Sequence, residues 1–266
     1  MKDEELLSLN QAGFIPGPDE NVEAFQARVQ RSKRKFEEGS WIPPAHWDFA
    51  KENLSRLFDV KPLYICAFYS DKNLTPWQGA AAWIEGTELH SIQLRKSFAK
   101  GSFLKLYDRS EILAHEAVHA ARSAFPNQRF EEYFAYMTSS KKWRQIMGPI
   151  LRNPWEVWPF FLTCLLGAIW PISFLFATFW ATLGFLRLIK SHYILRKASV
   201  QIFQETGDYQ KTRSILVRLT DEEIERFTNG ETIARYGQGR HDLRWKIILT
   251  YCKDGPYGEK NNCSTG

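Results

Sequence analysis

Residues 112–121 read Ile112-Leu113-Ala114-His115-Glu116-Ala117-Val118-His119-Ala120-Ala121. His-Glu-x-x-His acquires chemical sense on a helix. There the two histidines, four apart, stand one above the other on one face, about 5.4 Å apart along the axis. Two neutral imidazoles held this way can grip one divalent cation, and zinc suits them best. Glu116 sits beside the first ligand, where it can reach a metal-bound water without binding the metal itself. Outward from this stretch, Asp108-Arg109-Ser110-Glu111 predicts a capped start, with Asp108 at the cap and Glu111 closing a capping box; Ser110 is an alternative cap. Phe125-Pro126 predicts the stop, because proline disfavours helix at the residue before it. The uncharged flanks let the helix be buried while its polar face meets the metal.

After a short turn, Gln128-Arg129-Phe130-Glu131-Glu132-Tyr133-Phe134-Ala135-Tyr136 opens a second helix. Folded back antiparallel, its first turn comes near the two histidines. Acids in a first turn are also favoured by the helix dipole, so Glu131 and Glu132 need the preceding motif to read as ligands. Ahead of the motif, Leu63, Ile65, Ala67 and Tyr69 alternate with Tyr64, Cys66 and Phe68 in a strand pattern. Ala81-Ala82-Trp83-Ile84 and Leu89-His90-Ser91-Ile92-Gln93-Leu94 flank a turn at Glu85-Gly86-Thr87-Glu88. A small antiparallel sheet therefore precedes the motif. His90 reads as a cross-strand polar residue and His46, after Pro43-Pro44-Ala45, as a helix-start residue.

On His115, Glu116, His119 and Glu132 the chain resembles the zincin metallopeptidases, and within them the gluzincin branch, where a glutamate on a following helix is the third ligand. Glu132 lies in Glu-x-x-Ala, similar to the surroundings of that ligand. The resemblance covers residues 79 to 140, and implies that His115, His119 and Glu132 bind zinc and that Glu116 is the general base. Glu131 stands as the alternative third ligand; if unused, it can orient a ligand histidine through the other ring N–H. No His-x-x-Gly-x-x-His extension follows, so the metzincin pattern is absent. The implied reaction is metal-assisted hydrolysis of a polypeptide, with a zinc-bound water of pKa roughly 7. The strand 91–94 is a candidate for pairing with an extended substrate, and Tyr133, Tyr136, Arg240, His241 and Arg244 are candidates for the oxyanion partner.

Hydrophobic content of 44% and aromatic content of 15% suffice for a core, and the net charge of +5 is modest. The basic cluster 31–35 reads as a solvated helix face, and no nucleic-acid-reading motif accompanies it. Cys66, Cys164, Cys252 and Cys263 form no C-x-x-C pair and read as free thiols. Met1-Lys2-Asp3-Glu4-Glu5-Leu6-Leu7 lacks an apolar signal core, which predicts a cytoplasmic N-terminal half.

Residues 157 to 186 are thirty uncharged positions, more than one membrane span of about twenty and less than two. Trp158 and Trp180, about 33 Å apart on one helix, would suit two interfaces of a bilayer. Gly167 and Trp170-Pro171 interrupt the middle, and the flanks are equally basic: Lys141, Lys142, Arg144 and Arg152 against Arg187, Lys190, Arg196 and Lys197. Those features favour a hairpin turning near Trp170-Pro171 over a single span. The expected fold is α+β: a mostly helical zincin-like domain with a small antiparallel sheet and an inserted transmembrane or re-entrant helical hairpin. Its expected regions are 1–60 (helical), 61–155 (catalytic core), 156–190 (membrane segment), 191–252 (helical) and 253–266 (disordered tail). The expected function is a membrane-associated zinc metallopeptidase whose partners are a polypeptide substrate and the lipid bilayer, with the catalytic domain on the cytoplasmic side. The alternatives are a membrane adaptor with an accidental motif, or a metal-dependent hydrolase of another amide.

Overall fold

The computed structural model describes residues 1–39, 41–76, 78–86, 88–104, 107–126, 129–151 and 156–252. Arg152, Thr87, Gln128 and the tail 253–266, on which expectations were placed, lie outside them. The protein is mostly helical, with a small sheet. The N-terminal helices are α1 (Asp3–Gln11), α2 (Val22–Glu38) and α3 (Asp48–Phe58). Asn21 caps α2 by accepting from the backbone N–H of Ala24 at 2.8 Å. His46 sits in a 3-10 turn, Pro44–Trp47, that leads into α3, as its position after two prolines predicts.

Strands β1 (Ala67–Tyr69), β2 (Ala80–Glu85) and β3 (Glu88–Leu94) form a sheet in the order β1-β3-β2. It is mixed rather than antiparallel. β2 and β3 form the expected hairpin, but β1 runs parallel to β3, with Ala67 opposite Ile92. The reason is burial: Ala67 and Ile92 are both fully buried, and docking β1 on the far side of β3 brings both into the core. β3 is consequently the central strand, and 91–94 has no free edge to offer a substrate; β2 has one. A two-stranded pair, β4 (Ser102–Phe103) and β5 (Tyr107–Asp108), delivers the chain to helix α4 (Arg109–Ala121).

Helices α5 (Glu131–Met137) and α6 (Lys142–Met147) follow α4, then α7 (Val157–Gly167) and the long α8 (Ser173–Thr206). The chain ends in α9 (Tyr209–Leu216), α10 (Asp221–Thr228), α11 (Ile233–Gly237) and α12 (Leu243–Thr250). Thr220 and Glu223 form a full capping box at α10. One buried cluster runs from Ile15 through α3, the sheet, α4 and α5 to α8, α10 and Trp245. A smaller one joins Leu6, Phe25 and Val29 to Leu243 and Ile247, so the first and last helices pack together. Cys66, Cys164 and Cys252 are free thiols.

The apolar run is two helices, not one. Trp158 and Trp180 do not share a helix: the chain turns between Gly167 and Ser173. A Cβ on Gly167 would lie 2.7 Å from the Phe174 ring, so glycine is what lets the two helices close over the turn. Trp180 donates its indole N–H to the carbonyl of Glu156, which places it at the base of the hairpin. α8 is long and apolar enough to cross a membrane.

Candidate metal centre

Asp108 caps α4, its Oδ1 accepting from the Ser110 N–H at 2.8 Å. The expected capping box is incomplete, because Glu111 turns inward. Its carboxylate takes the Ser140 N–H at 3.0 Å, the Ser140 hydroxyl, and Arg144 Nη1 at 2.9 Å. Arg144, read from sequence as part of a basic membrane flank, is instead buried, with its guanidinium over the Tyr107 ring. α4 ends at Ala121, a few residues before the proline, since Arg122 leaves the helix to bond the carbonyls of Val217 and Leu219. On the core side of α4, Leu113, Ala114 and Ala117 are fully buried. α3 packs there, and alanine permits a close approach. On the other side Glu111, His115 and His119 form a single row at spacing four.

α5 folds back onto α4 and completes the cluster. His115 Nε2 and His119 Nε2 lie 3.3 Å apart. The Glu132 carboxylate straddles them, with Oε2 3.5 Å from the first and Oε1 3.6 Å from the second. These three side chains can hold one metal ion. Glu131 takes the orienting position: its Oε1 lies 2.5 Å from His119 Nδ1, which leaves Nε2 facing His115 and Glu132. Glu131 is itself buried, with Oε2 3.7 Å from Arg122 Nε. The Arg122 guanidinium is stacked over the rings of Phe125 and Phe134.

The cluster opens on a cleft of about 400 Å³ lined by His115, Glu116, His119, Glu132 and Tyr136 on one side and by Ala80, Ala81 and Ala82 of β2 on the other. Of the five oxyanion candidates only Tyr136 is here, its ring edge-on to His115 at 4.7 Å. Tyr133 packs against His192, Arg244 pairs with buried Glu223, Arg240 lies over Tyr236, and His241 is exposed.

Burial sets the electrostatics. It pushes the Glu116 carboxyl up to about 7, partly offset by His119 and reinforced by Glu132 and Glu131. Burial raises Glu132 as well. His115 is held well below the ordinary histidine value by burial and by the charges of His119 and Arg144, which keeps it neutral. Burial acts the same way on His119, but the Glu131 hydrogen bond and the charges of Glu132, Glu131 and Glu116 override it and raise it to about 10.

Sequence reading missed Glu111, Arg122 and Arg144 as supports of the cluster. Glu111 was detectable from its place one turn before His115 on the same face. Arg122 and Arg144 find their partners across long separations in sequence and carry no local signal. No family model matches the chain, and neither a curated protein nor a solved structure matches it.

Proposed function

We propose that this chain is a membrane-associated zinc metallopeptidase, with His115, His119 and Glu132 holding the metal and Glu116 as general base. The convergence of the ligand atoms carries the reading. Their separations of 3.3, 3.5 and 3.6 Å match the edge, about 3.4 Å, of a tetrahedron with bonds of about 2.0–2.1 Å, as for zinc. Two imidazoles and one carboxylate leave a fourth position open, as a catalytic site requires and a structural one does not. Glu131 supports the assignment by setting the His119 tautomer.

Zinc held there supplies a Lewis acid and lowers the pKa of a bound water to roughly 7. Glu116, next to the first ligand on α4 and facing the same cleft, would take that proton on a carboxylate oxygen and return it to the leaving amine. The Tyr136 phenol is raised above its ordinary value by burial. It stays protonated and donates a hydrogen bond to the developing oxyanion. An extended polypeptide adds to the free edge of β2 along Ala80, Ala81 and Ala82, where small side chains leave room for it. The α7–α8 hairpin anchors the protein in a bilayer. Both of its ends return to one face, assigned to the cytoplasm because exposed lysines and arginine flank it, Lys141 and Lys142 before and Lys190, Arg196 and Lys197 after.

Metal analysis of the purified protein tests the reading. About one zinc per chain is expected, and none in the His115→Ala/His119→Ala double variant. Stoichiometric zinc retained in that variant would overturn it.

A further inference from the structure

We infer that the α7–α8 hairpin enters a single leaflet and holds the cleft mouth at head-group level, so that the polypeptide cut is the juxtamembrane segment of a bilayer-anchored protein. This rests on the peptidase reading above and adds its substrate class.

The dimensions come first. α7 has 11 residues, about 16 Å of helix, and the uncharged part of α8 from 173 to 186 is about 21 Å. One leaflet of hydrocarbon is about 15 Å and the whole core about 30 Å. The uncharged hairpin is therefore deep enough for one leaflet and shorter than the full core, although α8 over its whole length would reach across. The lower half of α8 cannot extend it: Leu188, Ile194, Leu195, Ala198 and Ile202 are buried in the protein core, and Lys190, Arg196 and Lys197 are exposed between them.

The polar groups of the hairpin are arranged for a solvent without hydrogen bonds. At the turn, the backbone N–H groups of Ala168, Ile169, Trp170, Ser173, Phe174 and Leu175 find carbonyls in the turn or in the last turn of α7, while among the described residues that of Ile172 finds no backbone partner. The hydroxyls of Thr163, Thr178 and Thr182 bond back to carbonyls of their own helices. With most of its N–H groups paired internally, the turn costs less to place in hydrocarbon than an open loop would. Around it Ile169 is 75% exposed, Trp170 68% and Leu175 67%. At the base the character changes. Arg187 pairs with Glu156 at 2.7 Å, Trp158 and Trp180 gather there, and Lys190 is exposed below. Tryptophan and lysine at that level suit an interface with anionic head groups.

The same base is a wall of the cleft. Val157, the first residue of α7, and Leu151 line it together with Glu116 and His119. Residues 143 to 151 bridge the two: Arg144 holds Glu111, while Arg187 donates to the Ile150 carbonyl at 2.7 Å and His192 Nε2 lies 2.8 Å from the Ile146 carbonyl. Trp143 and Ile146 on that bridge are exposed apolar residues. A chain approaching along the membrane surface meets the cleft directly.

Two measurements on the zinc-loaded full chain test this, with vesicles of equal phosphatidylcholine and phosphatidylglycerol. In the first, lipids brominated at different depths quench tryptophan fluorescence. The component lost in Trp170→Phe is expected near the bilayer mid-plane and that lost in Trp143→Phe at head-group level. A Trp143 component that no lipid quenches overturns the placement. In the second, a casein-derived peptide pool is offered free or coupled to lipid head groups. The coupled pool is expected to be cut at least about tenfold faster, from the raised local concentration. Ile169→Asp/Trp170→Asp, which keeps the hairpin out of hydrocarbon, is expected to abolish that preference and retain cleavage of the free pool. Equal cleavage of both pools by wild type overturns the substrate class alone. Cleavage of neither, with the quenching depths as expected, overturns the peptidase reading on which it rests.

Discussion

Helix α4 and the upper half of α8 are both apolar, and the fold treats them oppositely. On α4, Leu113, Ala114 and Ala117 are fully buried, and even Glu116 is 7% exposed. On α8, Phe176 and Phe179 are 63% and 60% exposed. The difference lies in the size of the apolar residues and in what accompanies them. Alanines let α4 sink between α3 and α5, and at that depth its charged groups are drawn to buried partners. Glu111 has Arg144, and His119 has Glu131. The hairpin carries large rings all round, too many for one neighbour to cover, and its few hydroxyls serve only their own backbone. Burial gathers titratable groups on α4, and exposure leaves a field of rings on α8.

The largest effect that would sharpen this contrast is expected at Glu116. Glu116→Gln should lower the rate of peptide cleavage by about 10²–10⁴-fold with zinc content unchanged, read by turnover and metal analysis on the same sample. Next is the closed network. Arg144→Met leaves Glu111 buried without its cation and should cost about 3–5 kcal/mol in denaturant unfolding. The Glu111→Gln/Arg144→Met pair should recover much of that; a small cost for Arg144→Met alone would show that the polar face of α4 is not enclosed as described. Glu131→Gln should weaken zinc about 10–100-fold, measured by chelator competition, while leaving the helical circular dichroism intact. The smallest effect belongs to the other region. Phe176→Ser should change the stability of the protein in detergent by no more than about 0.5 kcal/mol, since the ring touches little protein, yet weaken partition into vesicles.

What the sequence by itself determined is local. The cap at Asp108, the helical row of His115 and His119 and the turn after Gly167 follow from backbone sterics and from contacts within about one turn, which neighbouring residues specify without the rest of the chain. The separate places of Glu132, across His115 and His119, and of Glu131, beside His119 Nδ1, were half legible: sequence put both in one first turn, but only the angle at which α5 returns over α4 separated them. The tertiary structure alone decided the rest. It made β3 central and β2 the open edge, because burying Ala67 against Ile92 outweighs simple hairpin order. It brought Glu111, Arg122 and Arg144 into the supports of the cluster and placed Tyr136, of the five candidates, in the cleft. It also set the cleft against the base of the hairpin. Each of these depends on which distant segments meet, and that is settled by the shared burial of the whole core.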